Sequence, residues 1–597
     1  MSRLNLDKYS EPLKENTTLI FFIQRLNELL FDYTLDTFKP RALNTVLLCE
    51  ELLNIIQEVE KKIIDKKNVE HIFEELKWSF KSDPIAKEIV GDRRKDYLDS
   101  VDTSDLPKLK LTINLLKNKL GDFNYLEESK KTIFNLIESK SPEKRKIEKI
   151  TSSLVTGLID LGYNKSFLHK KFNEYFIRFE GVRNNLEFIN EFFKCFDYQN
   201  ENYTVVIKAQ KFFETFKDSC QTFRLNIKHD LSEDINLESL SSHCKEFIDR
   251  KRHNQVFIIA KNIIELDEES ARLTVLSRIE KISNLFVFFH HKQNPSWNNT
   301  GLIAKINDEN EIENSVLVSS STPVLHKTLD LTPSKASIEL KNVLKKFGLE
   351  SSSFKRFDTA IDLHASAVKN TDIQNQLLNL WIAIETLITP DKTKSKIENY
   401  SEIISNFLIY DYADRIFRYV SKAIIRESSG LKTILTDNIT GEISLYKKVA
   451  ILIISPEYEE LREEVYEKLD NNPLLVYRIK RLNKEFVKGK NIKKYIETHQ
   501  FKTKLQLLRV YRTRNLIVHS GRIPSFTENL TENLHNYVDT FLKKLIDFSL
   551  DNKRINSIEQ ACLEMDLLVT NYLKNIEKHK DTNLSEENID SILFGIK

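Results

Sequence analysis

Residues 17–30 read Thr-Thr-Leu-Ile-Phe-Phe-Ile-Gln-Arg-Leu-Asn-Glu-Leu-Leu, and Leu19, Phe22, Ile23, Leu26, Leu29 and Leu30 fall at i, i+3, i+4, i+7, i+10 and i+11. At 3.6 residues per turn these six side chains share one face, so the run predicts an amphipathic helix lying on a core, capped by Thr17 or Thr18. The same spacing recurs at Leu43 to Ile56, Ile72 to Phe80 and Phe167 to Phe196, with polar breaks such as Ser139 to Arg145 between them. No motif repeats at a fixed period, which leaves a solenoid without support. Residues 1–250 therefore read as a helical N-terminal region of one or two subdomains. Its phenylalanines, including Phe192, Phe193, Phe196, Phe212, Phe213 and Phe216, read as core and not as a platform for stacking bases.

Composition carries the helical reading outward to the whole chain. Of 597 residues only 12 are Gly and 12 are Pro, far below the usual shares of about 7% and 5%, so folds made of many tight turns are excluded and a mainly α protein is expected. With 41% hydrophobic and 30% charged residues the chain can bury a core and lacks the signature of disorder. The length alone suggests about four domains. Lys and Arg number 90 against 88 Asp and Glu, so net charge argues neither for nor against a polyanionic partner, and only local patches can. The five cysteines are scattered and show no CxxC pair, which excludes a disulfide framework or a zinc knuckle and fits a reducing cytoplasm. No apolar run approaches the 18 or more residues of a membrane span, and the start mixes charges, so a cytoplasmic protein without membrane contact is expected.

Between 253 and 330 the pattern changes to a small α/β module. Val256 to Ile264 is β-rich, Asp267 to Ile282 is helical with Asp267 as its cap, and Leu285 to Phe289 is a continuous apolar run that reads as a strand. Leu302 to Ile306 and Ser315 to Val318 flank a turn-prone acidic segment, giving a sheet of about four strands. His290 and His291 end the third run and read as a solvated strand end, with no further ligands nearby to make a metal site. From 352 helices resume: Phe357, Ala360, Ile361, His364 and Val368 share a face, and Ile373 to Ile388 completes a hairpin stopped by Pro390. His364 on that apolar face reads as a satisfied core histidine. Leu505 to His519, a break at Gly521 to Ser525, a helix from Leu530 to Phe548 and a helical tail over 551–597 close the chain.

Nucleotide and hydrolase motifs are absent. Gly157 and Gly162 have Walker spacing, but Tyr163 and Asn164 follow where Lys and Ser or Thr are required, and no HExxH, GxSxG or EF-hand loop occurs. One polar cluster remains: Tyr511-Arg512-Thr513-Arg514-Asn515-Leu516-Ile517-Val518-His519-Ser520-Gly521. Arginine is a permanent planar donor to phosphoryl oxygens and histidine titrates near neutrality, so this set can stabilise a phosphorane and move protons without a metal or other cofactor. RNA brings its own 2′-OH nucleophile, and DNA does not. Upstream, Arg478, Lys480, Arg481, Lys484, Lys488, Lys490, Lys493 and Lys494 stand against the single acid Glu485. That stretch reads either as a guide for an RNA backbone or as an ordinary solvated face.

The Arg514-Asn515…His519 spacing, together with Trp381-Ile382-Ala383-Ile384-Glu385-Thr386-Leu387 and the closing helix Leu530 to Phe548, resembles the HEPN domains, specifically the Apea-like group, over roughly residues 350–550. The resemblance implies a helical bundle and a metal-independent endoribonuclease with Arg514, Asn515 and His519 as catalytic residues. It also implies a homodimer that forms the active site, and a role as a toxin or anti-phage abortive-infection effector. Arg224 and His229 repeat the spacing, but Leu225 follows Arg224 and no matching helices flank the pair, which therefore reads as accidental. Within one straight helix Asn515, His519 and Arg512 share a face while Arg514 lies about 140° from His519. Three resolutions stay open: a distorted helix end, an Arg514 that reaches around, or complementary groups from two protomers, the last preferred here. Arg512 or Arg514 is then the main phosphate-binding arginine. Glu385, in an apolar surround, requires a cationic or hydrogen-bonding partner, for which an arginine of the motif helix is a candidate. The rival reading is a catalytically inactive HEPN-type scaffold, or a module binding a nucleotide or a protein. On either reading the first 350 residues are expected to sense a trigger ligand or protein, or to select the RNA.

Overall fold

The computed structural model describes residues 4–62, 64–92, 94–319, 323–327, 330–389, 395–427, 430–550 and 555–594. Among them are 27 α-helices and one five-stranded antiparallel sheet, so the chain is mainly α with a small α/β module. The chain divides into two compact units, Met1–Gly157 with Gly181–Asn184 and Val324–Lys597, and Leu158–Glu180 with Asn185–Pro323. Among the described residues no helix is long and apolar enough to cross a membrane.

In the first unit the opening run forms helix α1 (Thr17–Leu30), followed by α2 (Thr45–Glu60) and α3 (Lys67–Ser82). The cap of α1 is Asn16, whose side chain accepts the Leu19 backbone N–H at 3.0 Å, and not Thr17 or Thr18. Asn16 is buried and also donates to the Ile137 carbonyl, so one amide satisfies the start of α1 and the last turn of the helix Asp122–Glu138 together. The C-terminal part holds α4 (Ser351–Lys369), α5 (Ile373–Leu387), α6 (Lys396–Tyr410), α7 (Pro473–Phe486), α8 (Gly489–Ser520), α9 (Thr527–Ser549) and α10 (Ile558–Lys578). The expected hairpin is α4 and α5; Pro390 lies outside the described residues.

The motif helix α8 is longer than expected. It runs 32 residues, about 48 Å at 1.5 Å per residue, and ends at Gly521, whose φ of +63° is the left-handed conformation that releases a chain from a helix. Around it pack α5, α6, α7, α9 and α10. Ile492, Ile496, Leu507, Val510 and Ile517 of α8 are buried, as are Trp381 and Ile384 of α5 and Leu534, Val538 and Phe541 of α9.

The second unit is built on strands β1 (Glu201–Gln210), β2 (Asn226–Lys228), β3 (Gln255–Glu265), β4 (Trp297–Ile306) and β5 (Ile312–Val318), in the order β2-β3-β1-β4-β5. β3, β4 and β5 contain the expected strands, and Asp267 caps the following helix by accepting the Ser270 N–H at 2.7 Å. Three expectations are corrected. β1 is the central strand and lies in the stretch read as helical. β2 makes the sheet five-stranded. Leu285 to Phe289 is the end of the helix Glu268–Phe289, with His290 as its C-terminal cap, because Phe286 continues the buried face of Ile279 and Ile282 and stacks on Phe216 at 4.4 Å.

Candidate active site

Near the C-terminal end of α8, Arg514 and Asn515 are half-buried and His519 is exposed. The Arg514 guanidinium donates to the Asn515 side-chain oxygen at 3.0 Å and lies 3.6 Å from a Glu385 carboxylate oxygen. The other Glu385 oxygen accepts the indole N–H of fully buried Trp381 at 2.9 Å. Glu385 and Trp381 are one turn apart on α5, so the carboxylate is locked to its own helix and holds Arg514 across to the next. Rings of Tyr511 and Tyr400 pack beside the same indole, at 5.7 and 5.9 Å between centroids. The partner required for Glu385 is therefore Arg514.

Arg512 has a different environment. It is buried and donates to Glu51 of α2 at 3.2 Å, while its neighbour Arg509, fully buried, is tied to both Glu51 and Glu75 at 2.9 and 2.6 Å. These arginines fix the middle of α8 to α2 and α3 and present no free edge to solvent. Of the two candidates, Arg514 is the one a ligand can approach.

α8 remains α-helical to Ser520, so a distorted helix end does not bring Arg514 and His519 together. Among the described residues no hydrogen bond or ion pair joins them, and the His519 ring makes none at all. Beside it Val518 is exposed. The structure thus assembles Arg514, Asn515 and Glu385 and leaves His519 apart on open surface.

The eight basic residues upstream separate into groups. Arg478 is buried and bonded to Glu28 at 2.7 Å and to Glu148. Lys493 pairs with Glu577 at 2.9 Å, Lys480 lies over the Tyr466 ring, and Lys488 and Lys490 are exposed at the start of α8. Arg478, Arg481, Lys484 and Lys494 line a common cavity.

A further cluster was only partly legible. His364 of α4, read as a core histidine, is half-buried and bonded to Asp539 of α9 at 2.7 Å. Buried His535, one turn before Asp539, stacks on the His364 ring with centroids 5.1 Å apart, and burial lowers the pKa of His535. Their ligating atoms lie within 4.8 Å of one another, so these three side chains could hold a metal ion. The His535 and Asp539 spacing of four on one helix was the available signal. The chain matches no protein-family model, no curated protein and no solved structure.

Proposed function

We propose that the chain is a metal-independent endoribonuclease of the HEPN type, acting as a homodimer in a toxin or abortive-infection role. The observation that supports this reading is Arg514, held by Glu385 and Asn515 with part of its surface open, on the same helix end as an unbonded, exposed His519. In the reaction the 2′-OH loses its proton and its oxygen forms a bond to the adjacent phosphorus, while the bond from phosphorus to the 5′-oxygen breaks. His519 serves as the general base or acid for these transfers, and Arg514 stabilises the charge of the phosphorane. The products carry a cyclic phosphate and a 5′-OH. Pairing of α8 ends from two protomers supplies the approach of guanidinium and imidazole that a single chain lacks.

The test is purified protein with total RNA in EDTA. Discrete fragments are expected, and His519→Ala should reduce their rate by about 100-fold or more with the melting curve unchanged. Cleavage that persists undiminished in this variant refutes the assignment. Persistent inertness of the wild type, monomer or dimer, favours the binding module.

A further inference from the structure

The first unit contains a cavity of about 570 Å³, within the roughly 300–1,000 Å³ typical of small-molecule sites. Ten Lys and Arg side chains line it against four carboxylates, an excess of six positive charges in a chain whose net charge is +2. Part of the excess is structural. Arg25, Arg478 and Arg481 are bonded to Glu28 or Glu148, and Lys39 to Glu532. Of the other six, Lys149 donates to the Ser82 carbonyl at 2.9 Å, and Arg41, Arg145, Lys484, Lys494 and Lys502 have no carboxylate within ion-pairing distance among the described residues.

These five come from four separate segments: Arg41 precedes α2, Arg145 lies far downstream of α3, Lys484 is on α7, and Lys494 and Lys502 are two turns apart on α8. Only folding assembles them. Arg41 and Lys502 both lie over the ring of Trp78, at 4.5 and 5.3 Å from its centroid. Like charges gathered in a concave site repel, and low-dielectric walls focus their potential. The cation–π contacts with Trp78 offset a small part of that cost. A multiply charged anion would offset much more. Guanidinium groups match phosphoryl oxygens in planar two-bond geometry, and lysine ammonium groups serve spread phosphates as point charges.

We propose that this cavity binds a small phosphate compound carrying at least three negative charges, of nucleoside triphosphate size, through Arg41, Lys484, Lys494 and Lys502. The site is separate from the Arg514 cluster: Lys502 and Arg514 are twelve residues apart on α8, about 18 Å along the axis. It does not depend on the nuclease reading, since a ligand can bind here whether or not RNA is cut.

The experiment is calorimetric titration of the full chain at low salt with two probes, ATP and inorganic tripolyphosphate. One equivalent of at least one probe should bind, with affinity falling as salt rises. If tripolyphosphate binds as tightly as ATP, the phosphates alone are recognised; tighter ATP adds a contact to the nucleoside. Arg41→Gln and Lys502→Met should each weaken binding about tenfold or more, and Arg514→Ala should leave it unchanged. Below about pH 7, where Lys502 keeps its proton, Lys502→Met should also raise the melting temperature of the free protein, because it removes a cation with no carboxylate partner, which separates lost binding from lost fold. No binding of either probe at millimolar concentration overturns the proposal, as does unchanged affinity in both cavity variants. A 20-nucleotide RNA that binds far tighter than both probes, with the same dependence on Lys502, also overturns it and makes the cavity part of an RNA path.

Discussion

At the scale of single residues, Glu385 shows how much one carboxylate organises. It accepts from a buried indole on one side and steadies Arg514 on the other. Glu385→Ala leaves the Trp381 N–H without an acceptor and should cost about 1–2 kcal/mol in urea denaturation, whereas Glu385→Gln, which keeps an oxygen there, should cost under about 0.5 kcal/mol. The need for this partner was legible from a charged residue among Trp381, Ile384 and Leu387; the identity of the partner was not, because Arg509, Arg512 and Arg514 differ only in which side of α8 they face. Lys502 carries a second residue-scale prediction. Burial, with help from Arg41, Arg481 and Lys149 and against the opposing pull of Glu148, lowers its pKa to about 7. Between about pH 7 and 10.5 the unfolded chain keeps this proton and the folded chain releases it, so this lysine makes stability rise with pH across that window and contributes a constant penalty below it. Urea midpoints compared from pH 6.5 to 9.5 should show that slope in the wild type and lose it in Lys502→Met.

At the scale of elements, the helices were read where apolar residues keep one phase, and β3, β4 and β5 where β-rich apolar runs stand among polar, turn-prone residues. β1 escaped for a physical reason. Val205 and Ile207 face one core and Val206 the other, and Thr204 and Lys208, both buried, cut the apolar run to these three residues, too few to show period two. The run Leu285 to Phe289 failed the opposite way, since five apolar residues suit a strand or the end of a helix equally. The start of α8 depends on Gly489. A Cβ there would come within 2.6 Å of the Ile576 carbonyl oxygen and close to that of His579, at the end of α10. Gly489→Ala should therefore push the two helices apart and cost about 1–3 kcal/mol, measured by chemical denaturation.

At the scale of the whole molecule, buried ion pairs join segments far apart in sequence. Burial opposes ionisation of Glu148, yet Arg478, Arg25 and Arg481 overcome it and hold its carboxyl well below the ordinary range. Arg509 and Arg512 likewise lower the pKa of half-buried Glu51 against the effect of its desolvation. Carboxylates depressed on folding contribute stability that is complete above about pH 4.5 and is lost as pH falls further, so the melting temperature should drop steeply in that range. Arg478→Ala, which leaves two buried carboxylates short of a partner, should cost about 3–5 kcal/mol and move the acid transition upward. None of this network was legible beforehand, because Arg478 lies 450 residues from Glu28 and 330 from Glu148, and the same holds for the cavity, whose charges cancel in the total composition.

From Lys490 to Ser520, α8 contains neither glycine nor proline, and no π-bulge interrupts it. Such a rod has no joint. Whatever enters beside Lys494 and Lys502 and pushes on its lower half meets no glycine, proline or π-bulge hinge before the tip that carries Arg514 and His519.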